Sequence, residues 1–307
     1  MLKTQAKRKR ILVVDDSAAV RGFFEEVFSR RNDYVPEFAS SGKQAVEKLK
    51  LARRAGDAFD FVLTDINMPG MDGFETLERM KAIAPDLKIG MITGFNVDDY
   101  IKMALEKGVY NIICKMDPPN EIIRTVDNLI TGEGIFGIEN HLESGAATTK
   151  HRILNTRQLK DVVREILDFA KDLLDEEKLY GLKTGLVEMG TNAIYHAYGY
   201  EKGSEVQLKE SENVVFEYGT DSSKMVVDIV DESGILTKEK VLAQLHRGLN
   251  PTPEDLLAAG GRGIFLTRFL CDKVVVNIEK EKRTEVLLIM YLTKDHHESK
   301  PLLINQV

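Results

Sequence analysis

The chain has 307 residues, 43% of them apolar and 30% charged, with a net charge of −7. That length accommodates two domains with separate cores. The composition is that of a globular protein in water, and no apolar run approaches the roughly 18 residues of a membrane span. Residues 1–130 carry 20 of the 42 basic and 20 of the 49 acidic side chains, so the negative balance falls on the second half. An acidic half argues against direct DNA binding, which needs clustered Lys and Arg.

The first ten residues hold Lys3, Lys7, Arg8, Lys9 and Arg10. They lack the apolar core of a signal peptide and read as a solvated approach to the first strand. The two cysteines, Cys114 and Cys271, lie in apolar segments. They form neither a disulfide framework nor a metal motif, which predicts a reducing cytoplasm.

Residues 10–130 alternate short apolar strands with amphipathic helices. The predicted strands are Arg10–Val14, Tyr34–Phe38, Phe59–Thr64, Leu87–Ile92 and Tyr110–Cys114. Ser17 can cap the helix after the first, and Ser41 with Gln44 makes a capping box for the next. Such alternation specifies a five-stranded parallel, doubly wound α/β sheet covered on both faces. Polar residues at its strand ends then converge on one rim. Asp15 and Asp16 follow the first strand, Asp65 ends the third, Thr93 the fourth and Lys115 the fifth. Crowded carboxylates repel one another and call for a divalent cation. With Mg²⁺ in place, Asp65 can attack a phosphoryl group, and Lys115 with the Thr93 hydroxyl can hold its oxygens.

These residues resemble response-regulator receiver domains. The stretches that carry the likeness are Val13-Val14-Asp15-Asp16-Ser17, Thr64-Asp65-Ile66-Asn67-Met68-Pro69-Gly70-Met71-Asp72-Gly73, Ile92-Thr93-Gly94 and Lys115, within residues 9–131. The resemblance implies that Asp65 is the phosphoacceptor. It implies that Asp15, Asp16, Asp65 and the Asn67 carbonyl hold Mg²⁺. Two positions depart from the pattern: Met116 stands where receivers usually carry proline, and Ile112 stands at the switch aromatic's place, with Tyr110 one pleat further from the rim.

Residues 132–149 are rich in glycine and small polar side chains and read as a linker. Within it, the cluster Ile135-Phe136-Gly137-Ile138 can dock on a domain. His141 and His151 are candidate phosphoacceptors, but that role needs a long helical hairpin after the histidine, and only one long helix fits. A solvated or packing role is expected of both.

A helix is predicted from Thr156 to about Leu174 and a second from about Glu176 to His196. On the second, Glu188, Asn192 and His196 repeat every four residues on one face. Strands Val214–Tyr218 and Lys224–Val230 follow, the latter leading to Asp231-Glu232-Ser233-Gly234. After a polar, helix-prone stretch with Pro251 and Pro253 comes Ala258-Ala259-Gly260-Gly261-Arg262-Gly263, opening a helix over Ile264–Cys271. Amide hydrogens at a glycine-rich helix start favour phosphate. Strands Lys273–Lys280 and Thr284–Tyr291 close an α+β two-layer sandwich over residues 150–294, and 295–307 read as a tail.

This order resembles the ATPase domain shared by gyrase, heat-shock chaperones and histidine kinases, and within that group the anti-sigma factor serine kinases. The supporting stretches are Glu188 to Tyr198, Gly261-Arg262-Gly263-Ile264-Phe265-Leu266 and Cys271-Asp272-Lys273-Val274. The resemblance implies ATP bound with Mg²⁺ on Asn192. Asp231 would take the adenine amino group with support from Thr284, and Gly261, Arg262 and Gly263 would lie along the phosphates. His196 and Gly234 would line the same site. Glu188 would be the base for a serine or threonine hydroxyl. The usual Asp-x-Gly-x-Gly box here reads Asp231-Glu232-Ser233-Gly234-Ile235, and the usual Gly-Thr pair reads Arg283-Thr284.

The sequence thus predicts an Asp65-controlled protein serine/threonine kinase. Its expected partners are a sensor histidine kinase and an anti-anti-sigma-like protein or sigma factor, with a homodimer compatible. The alternatives are a non-catalytic ATP-dependent binding switch and an atypical histidine kinase with an N-terminal receiver.

Overall fold

A computed structural model of the protein describes residues 8–252, 261–292 and 300–307. The residues fall into two compact units. One holds the chain up to Phe95 together with Asn111–Gly132; the other holds Asn96–Tyr110 together with Glu133–Val307. Lys3, Lys7, Pro253, Ala258, Ala259, Gly260 and the first residues of the expected tail lie outside the described residues.

The first unit contains strands β1 (Lys9–Val14), β2 (Tyr34–Ala39), β3 (Phe61–Asp65), β4 (Lys88–Thr93) and β5 (Asn111–Cys114). Its helices are α1 (Ala18–Ser29), α2 (Gly42–Arg54), α3 (Gly73–Ile83) and α5 (Pro119–Thr131). The strands pair in parallel in the order β2-β1-β3-β4-β5. Successive residues point to opposite faces, so β1 feeds two cores. Leu12 and Val14 pack with Leu49, Val62 and Met80 on one side. Ile11 and Val13 pack with Phe24, Phe28, Leu63 and Val126 on the other. The helix starts follow their caps: Ser17 Oγ accepts from Val20 N, Ser41 Oγ from Gln44 N and Asp72 Oδ1 from Glu75 N. Gln44 Oε1 reaches back to Ser40 N rather than Ser41 N, so the expected capping box is offset by one residue.

The second unit contains α4 (Ile101–Lys107), β6 (Thr148–Ile153), α6 (Thr156–Ala170), α7 (Glu176–Thr191), β7 (Val214–Thr220), β8 (Lys224–Asp231) and α8 (Lys238–Leu249). It ends with α9 (Gly263–Leu270), β9 (Lys273–Glu279), β10 (Arg283–Tyr291) and β11 (Leu302–Gln306). The sheet order is β11-β9-β10-β8-β7-β6. All pairs are antiparallel except β11 with β9. Helices α6, α7 and α9 pack together. Asn155 and Asp175 cap α6 and α7 through Gln158 N and Lys178 N.

Three expectations are corrected. The linker is not loose: the cluster expected to dock does so, with Ile135 and Ile138 buried alongside His141, and Ile138 with Leu142 packs on Val226, Val275, Leu287 and Ile289. A sheet buried on one face by helices exposes apolar residues on its other face, and this segment covers them. The C-terminal residues are not a tail, because Leu302–Gln306 extend the sheet as β11. The helix expected to run to His196 ends as α7 at Thr191 and continues as a π turn over Asn192–His196.

Polar groups pin the covering segment. Glu285 Oε1 accepts from Gly137 N at 2.7 Å, and its Oε2 accepts from Asn277 Nδ2 at 2.6 Å. Asn277 Nδ2 also donates to Ile135 O, and Asn305 Nδ2 donates to Asn277 Oδ1. Asp228 points to the same face of the sheet, flanked by Glu217. Burial, then the charges of Glu285 and Glu217, hold Asp228 well above the usual carboxylate range. Burial raises Glu285 as well, while Asn277 and Gly137 favour its charged form. Asp228 is therefore the member that keeps the proton.

A carboxyl whose folded pKa exceeds its unfolded value binds a proton that the unfolded chain has released. Stability is then fully present below the unfolded value, near about 3.9, and falls as pH rises toward the folded value. Asp228→Asn should remove that fall and make the second unit more stable at neutral pH. Hydrogen exchange of the β8 and β10 amides at acidic and neutral pH measures it. A variant less protected than wild type at neutral pH would contradict the assignment.

Candidate functional site

The strand ends of the first unit bring Asp15, Asp16 and Asp65 together. One carboxylate oxygen from each lies within 4.8 Å of the others. Asp15 and Asp65 are buried, whereas Asp16 is exposed. Lys115 Nζ stands 2.6 Å from Asp15 Oδ2 and 2.7 Å from Asp65 Oδ2. Asp15 is buried, and its Oδ2 meets the lysine as an ion pair. Asp15 Oδ1 accepts from Ser17 N, and Asp65 Oδ1 from Asn67 N. Burial, and secondarily Asp15, raise Asp65 against the opposing pull of Lys115. Lys115, though desolvated, is raised by its two carboxylates.

This donor set fits a hard divalent cation: three carboxylates, two of them buried, whose oxygens lie within 4.8 Å of one another. Thr93 is buried at the end of β4, and its Oγ1 accepts from Phe95 N at 3.0 Å. The Met116 departure leaves no cis peptide among the described residues. Ile112 at the switch-aromatic position is fully buried.

In the second unit the β8–β10 ladder sets Thr284 directly opposite Asp231. Paired residues on facing strands project to the same face. Asp231 Oδ1 accepts from both the backbone N–H and the hydroxyl of Ser233. No other group described hydrogen-bonds that carboxylate, and burial raises its pKa. The Thr284 hydroxyl is buried without any hydrogen-bond partner among the described residues. An orphaned hydroxyl beside a half-satisfied carboxylate suits a base that offers both a donor and an acceptor.

Glu188 and Asn192 are both half-buried on the α7 side. A Cβ added to Gly263 would lie 2.5 Å from Glu188 Oε2, so that carboxylate lies directly against the start of α9. Asn192 Nδ2 sits 4.0 Å from Met189 Sδ. The π turn breaks the four-residue stripe, and His196 is exposed. Gly261 and Arg262 precede α9 in the chain. Gly234 has φ +66°, and a Cβ there would meet the Glu281 backbone at 2.2 Å. That close approach accounts for the glycine without a ligand.

Two residues escaped the sequence reading. The Tyr198 hydroxyl donates to Asn213 O and accepts from Asn213 N and Glu232 N, tying down the loop after Asp231. The Arg247 guanidinium lies 3.7 Å from where a Gly261 Cβ would be. A cation in the last turn of α8, ahead of the glycine turn, was the available signal. His141 is buried, and His151 pairs with Glu165 at 3.0 Å. Neither stands on a helical hairpin of the kind a phosphoacceptor histidine needs.

Two family models match the chain: the response regulator receiver domain over residues 11–127 and the histidine kinase-like ATPase domain over residues 153–290. Sporulation initiation phosphotransferase F of Bacillus subtilis is 33% identical over 114 residues, covering 37% of this chain and 87% of that protein. Chemotaxis protein CheY of Thermotoga maritima is 27% identical, covering 39% of this chain and 97% of its own. Response regulator protein VraR of Staphylococcus saprophyticus is 30% identical over 42% of this chain, which spans 60% of the length of that relative. Among solved structures, chemotaxis protein CheY4 of Vibrio cholerae is 25% identical, with a TM-score of 0.36, covering 40% of this chain and 98% of its own. The fold and the acidic rim are those of a receiver domain. The chain belongs to the response-regulator receiver family and carries a histidine kinase-like ATPase domain in its second half.

Two outcomes follow from the geometry. A small-molecule phosphodonor with Mg²⁺ should add one hydroxylamine-labile phosphoryl group, and Asp65→Ala should abolish it; undiminished labelling of the variant would place the acceptor elsewhere. Asp231→Asn should weaken ATP binding by about 1.5–3 kcal/mol, the scale of a hydrogen bond to a charged group. Nucleotide titration showing wild-type affinity for Asp231→Asn and Asn192→Ala alike would rule out this pocket.

Proposed function

We propose that the chain is a two-component response regulator whose ATP-binding half is a protein serine/threonine kinase controlled by Asp65. The observation that carries this reading is the Glu188 carboxylate set against Gly263, where the phosphate-binding helix begins. A base that must take a hydroxyl proton during phosphoryl transfer belongs beside the phosphates.

A sensor histidine kinase supplies the phosphoryl group to Asp65: its N–P bond breaks as an Asp65 O–P bond forms. Mg²⁺, held by Asp15, Asp16, Asp65 and the Asn67 carbonyl, would neutralise the charge on that group. Lys115 already stands between the two buried carboxylates and is placed to turn to the phosphoryl oxygens. In the second half, Asp231 and Thr284 orient the adenine, and Arg262 with the amides of Gly261 and Gly263 meets the phosphates. Asn192 would hold the Mg²⁺ that accompanies ATP. Glu188 takes the proton of a serine or threonine hydroxyl on an anti-anti-sigma-like partner as that oxygen forms its bond to the γ-phosphorus and the γ-phosphorus–oxygen bond to ADP breaks.

A second reading, ATP-dependent binding of a partner or sigma factor without transfer, is favoured by one observation. Gly234, the Asp box's remaining glycine, serves a backbone contact. Turnover separates the two. General-base catalysis supplies about 10²–10⁴-fold, so Glu188→Ala should bind ATP normally and lose most transfer to the partner. Equal phosphorylation by wild type and variant would end the base assignment. Tight ATP binding with no transfer from wild type would establish the binding switch instead.

A further inference from the structure

Ala197 N donates to Asn192 O, five residues back, so the π turn inserts one residue into the helix. Side chains after it are turned by about 100° from their places on an unbroken α-helix. His196 is exposed, whereas the Tyr198 hydroxyl reaches the residue before β7 and the residue after β8. That hydroxyl is fully used. It donates to Asn213 O at 2.8 Å, and it accepts from Asn213 N at 3.0 Å and Glu232 N at 3.2 Å. Burial, with the Asp231 and Glu232 charges behind it, raises the Tyr198 phenol against the pull of the two amides. The phenol keeps its proton and serves as donor and acceptor together.

Glu232 is the middle residue of the turn that holds Asp231. On its near side Asp231 ends β8, opposite Val214 on β7 and Thr284 on β10. On its far side Ser233 returns its N–H and hydroxyl to Asp231 Oδ1. The other Asp231 oxygen has no hydrogen bond among the described residues. Its direction follows that of the turn, and the Glu232 amide is where Tyr198 grips the turn. Tyr198 also lies six positions after Asn192, on the same stretch of helix. One element thus carries the candidate metal-holding amide and the pin on the candidate adenine carboxylate. Adenine offers that carboxylate an amino donor. Guanine presents a carbonyl oxygen at the matching ring position and would be repelled. Such discrimination requires a carboxylate that cannot turn away.

We propose that Tyr198 is a positioning residue that sets a preference for adenine over guanine, by fixing through Glu232 N the turn from which Asp231 meets the base. The proposal rests on the ATP-binding reading above and names what orders that site before a nucleotide arrives.

Titration of the full chain with ATP and with GTP, each with Mg²⁺, tests it in wild type, Tyr198→Phe and Tyr195→Phe. Phenylalanine keeps the ring and removes the hydroxyl. Tyr195 is the control, because its hydroxyl donates to Ser204 O at 2.8 Å rather than to the Asp231 turn. Tyr198→Phe should bind ATP about tenfold more weakly, the scale of one or two lost hydrogen bonds. Its GTP affinity should change little, so the preference for ATP shrinks by the same factor. Tyr195→Phe should keep the wild-type preference. In the nucleotide-free chain, hydrogen exchange at the Glu232 and Asn213 amides should be faster in Tyr198→Phe than in wild type or Tyr195→Phe. If wild type binds ATP and Tyr198→Phe keeps its affinity and preference, the positioning role is overturned while the ATP site stands. Equal losses for ATP and GTP in Tyr198→Phe would make the hydroxyl a structural group only and overturn it too, as would a wild type that does not discriminate between the two nucleotides. A wild type that binds neither would defeat the ATP reading, and the positioning role would fall with it.

Discussion

The second unit depends on one register, the antiparallel pairing of β8 with β10 from Asp231 opposite Thr284 to Lys224 opposite Tyr291. Side chains alternate along each strand, so this register decides both faces at once. On one face it sets Asp231 beside Thr284. On the other it places Asp228 and Glu285 under the segment that covers the sheet. A slip of one residue would send Thr284 to the covered face and expose Glu285 to the helices. The apolar run Val286–Met290 penalises such a slip only weakly, because it is apolar on both faces. Buried polar groups fix the neighbouring β9–β10 register more firmly, since Glu285 stands opposite Asn277 there and bonds both it and Gly137.

In the first unit the organising constraint is charge. Three carboxylates converge where the parallel strands end, and Lys115 is the cation that lets two of them be buried. The cost of burial shows in the raised pKa of Asp65. That tension makes the pocket receptive. A divalent cation relieves the carboxylates, and a phosphoryl group gives the lysine a stronger partner than the one it has. The same residues that strain the resting pocket are those that the phosphorylated state would satisfy.

The sequence made the first unit legible because its signals are local. Each strand is a short apolar run, each helix start has its own cap, and each functional side chain follows the end of a strand. The order of Glu188, Asn192, Asp231 and the glycine turn was legible in the second unit for the same reason. What escaped was non-local. The covering role of residues 135–142 follows from apolar residues that a sheet exposes only once its strands have paired, and the glycines there read as linker. Strand β11 is five residues long, and it takes its place from β9 rather than from its own pattern. The π turn over Asn192–His196 inserts a residue into a helical stripe that otherwise repeats cleanly, which is why His196 turned outward. The grouping of residues 96–110 with the second unit rests on Arg268 and Glu239, which pair with Asp98 and Tyr110 from more than a hundred residues away in sequence.

The two candidate sites handle charge in opposite ways. The acidic rim of the first unit holds excess negative charge against a single lysine, so a phosphoryl group on Asp65 would change its balance strongly. In the second unit the Asp231 carboxylate has its Oδ1 already satisfied by Ser233, and the Glu188 carboxylate lies against the start of α9. At physiological salt, charges separated by more than roughly 8 Å of water are largely screened. Each carboxylate's balance is therefore set by its own neighbours: Lys115 for Asp15 and Asp65, Ser233 for Asp231.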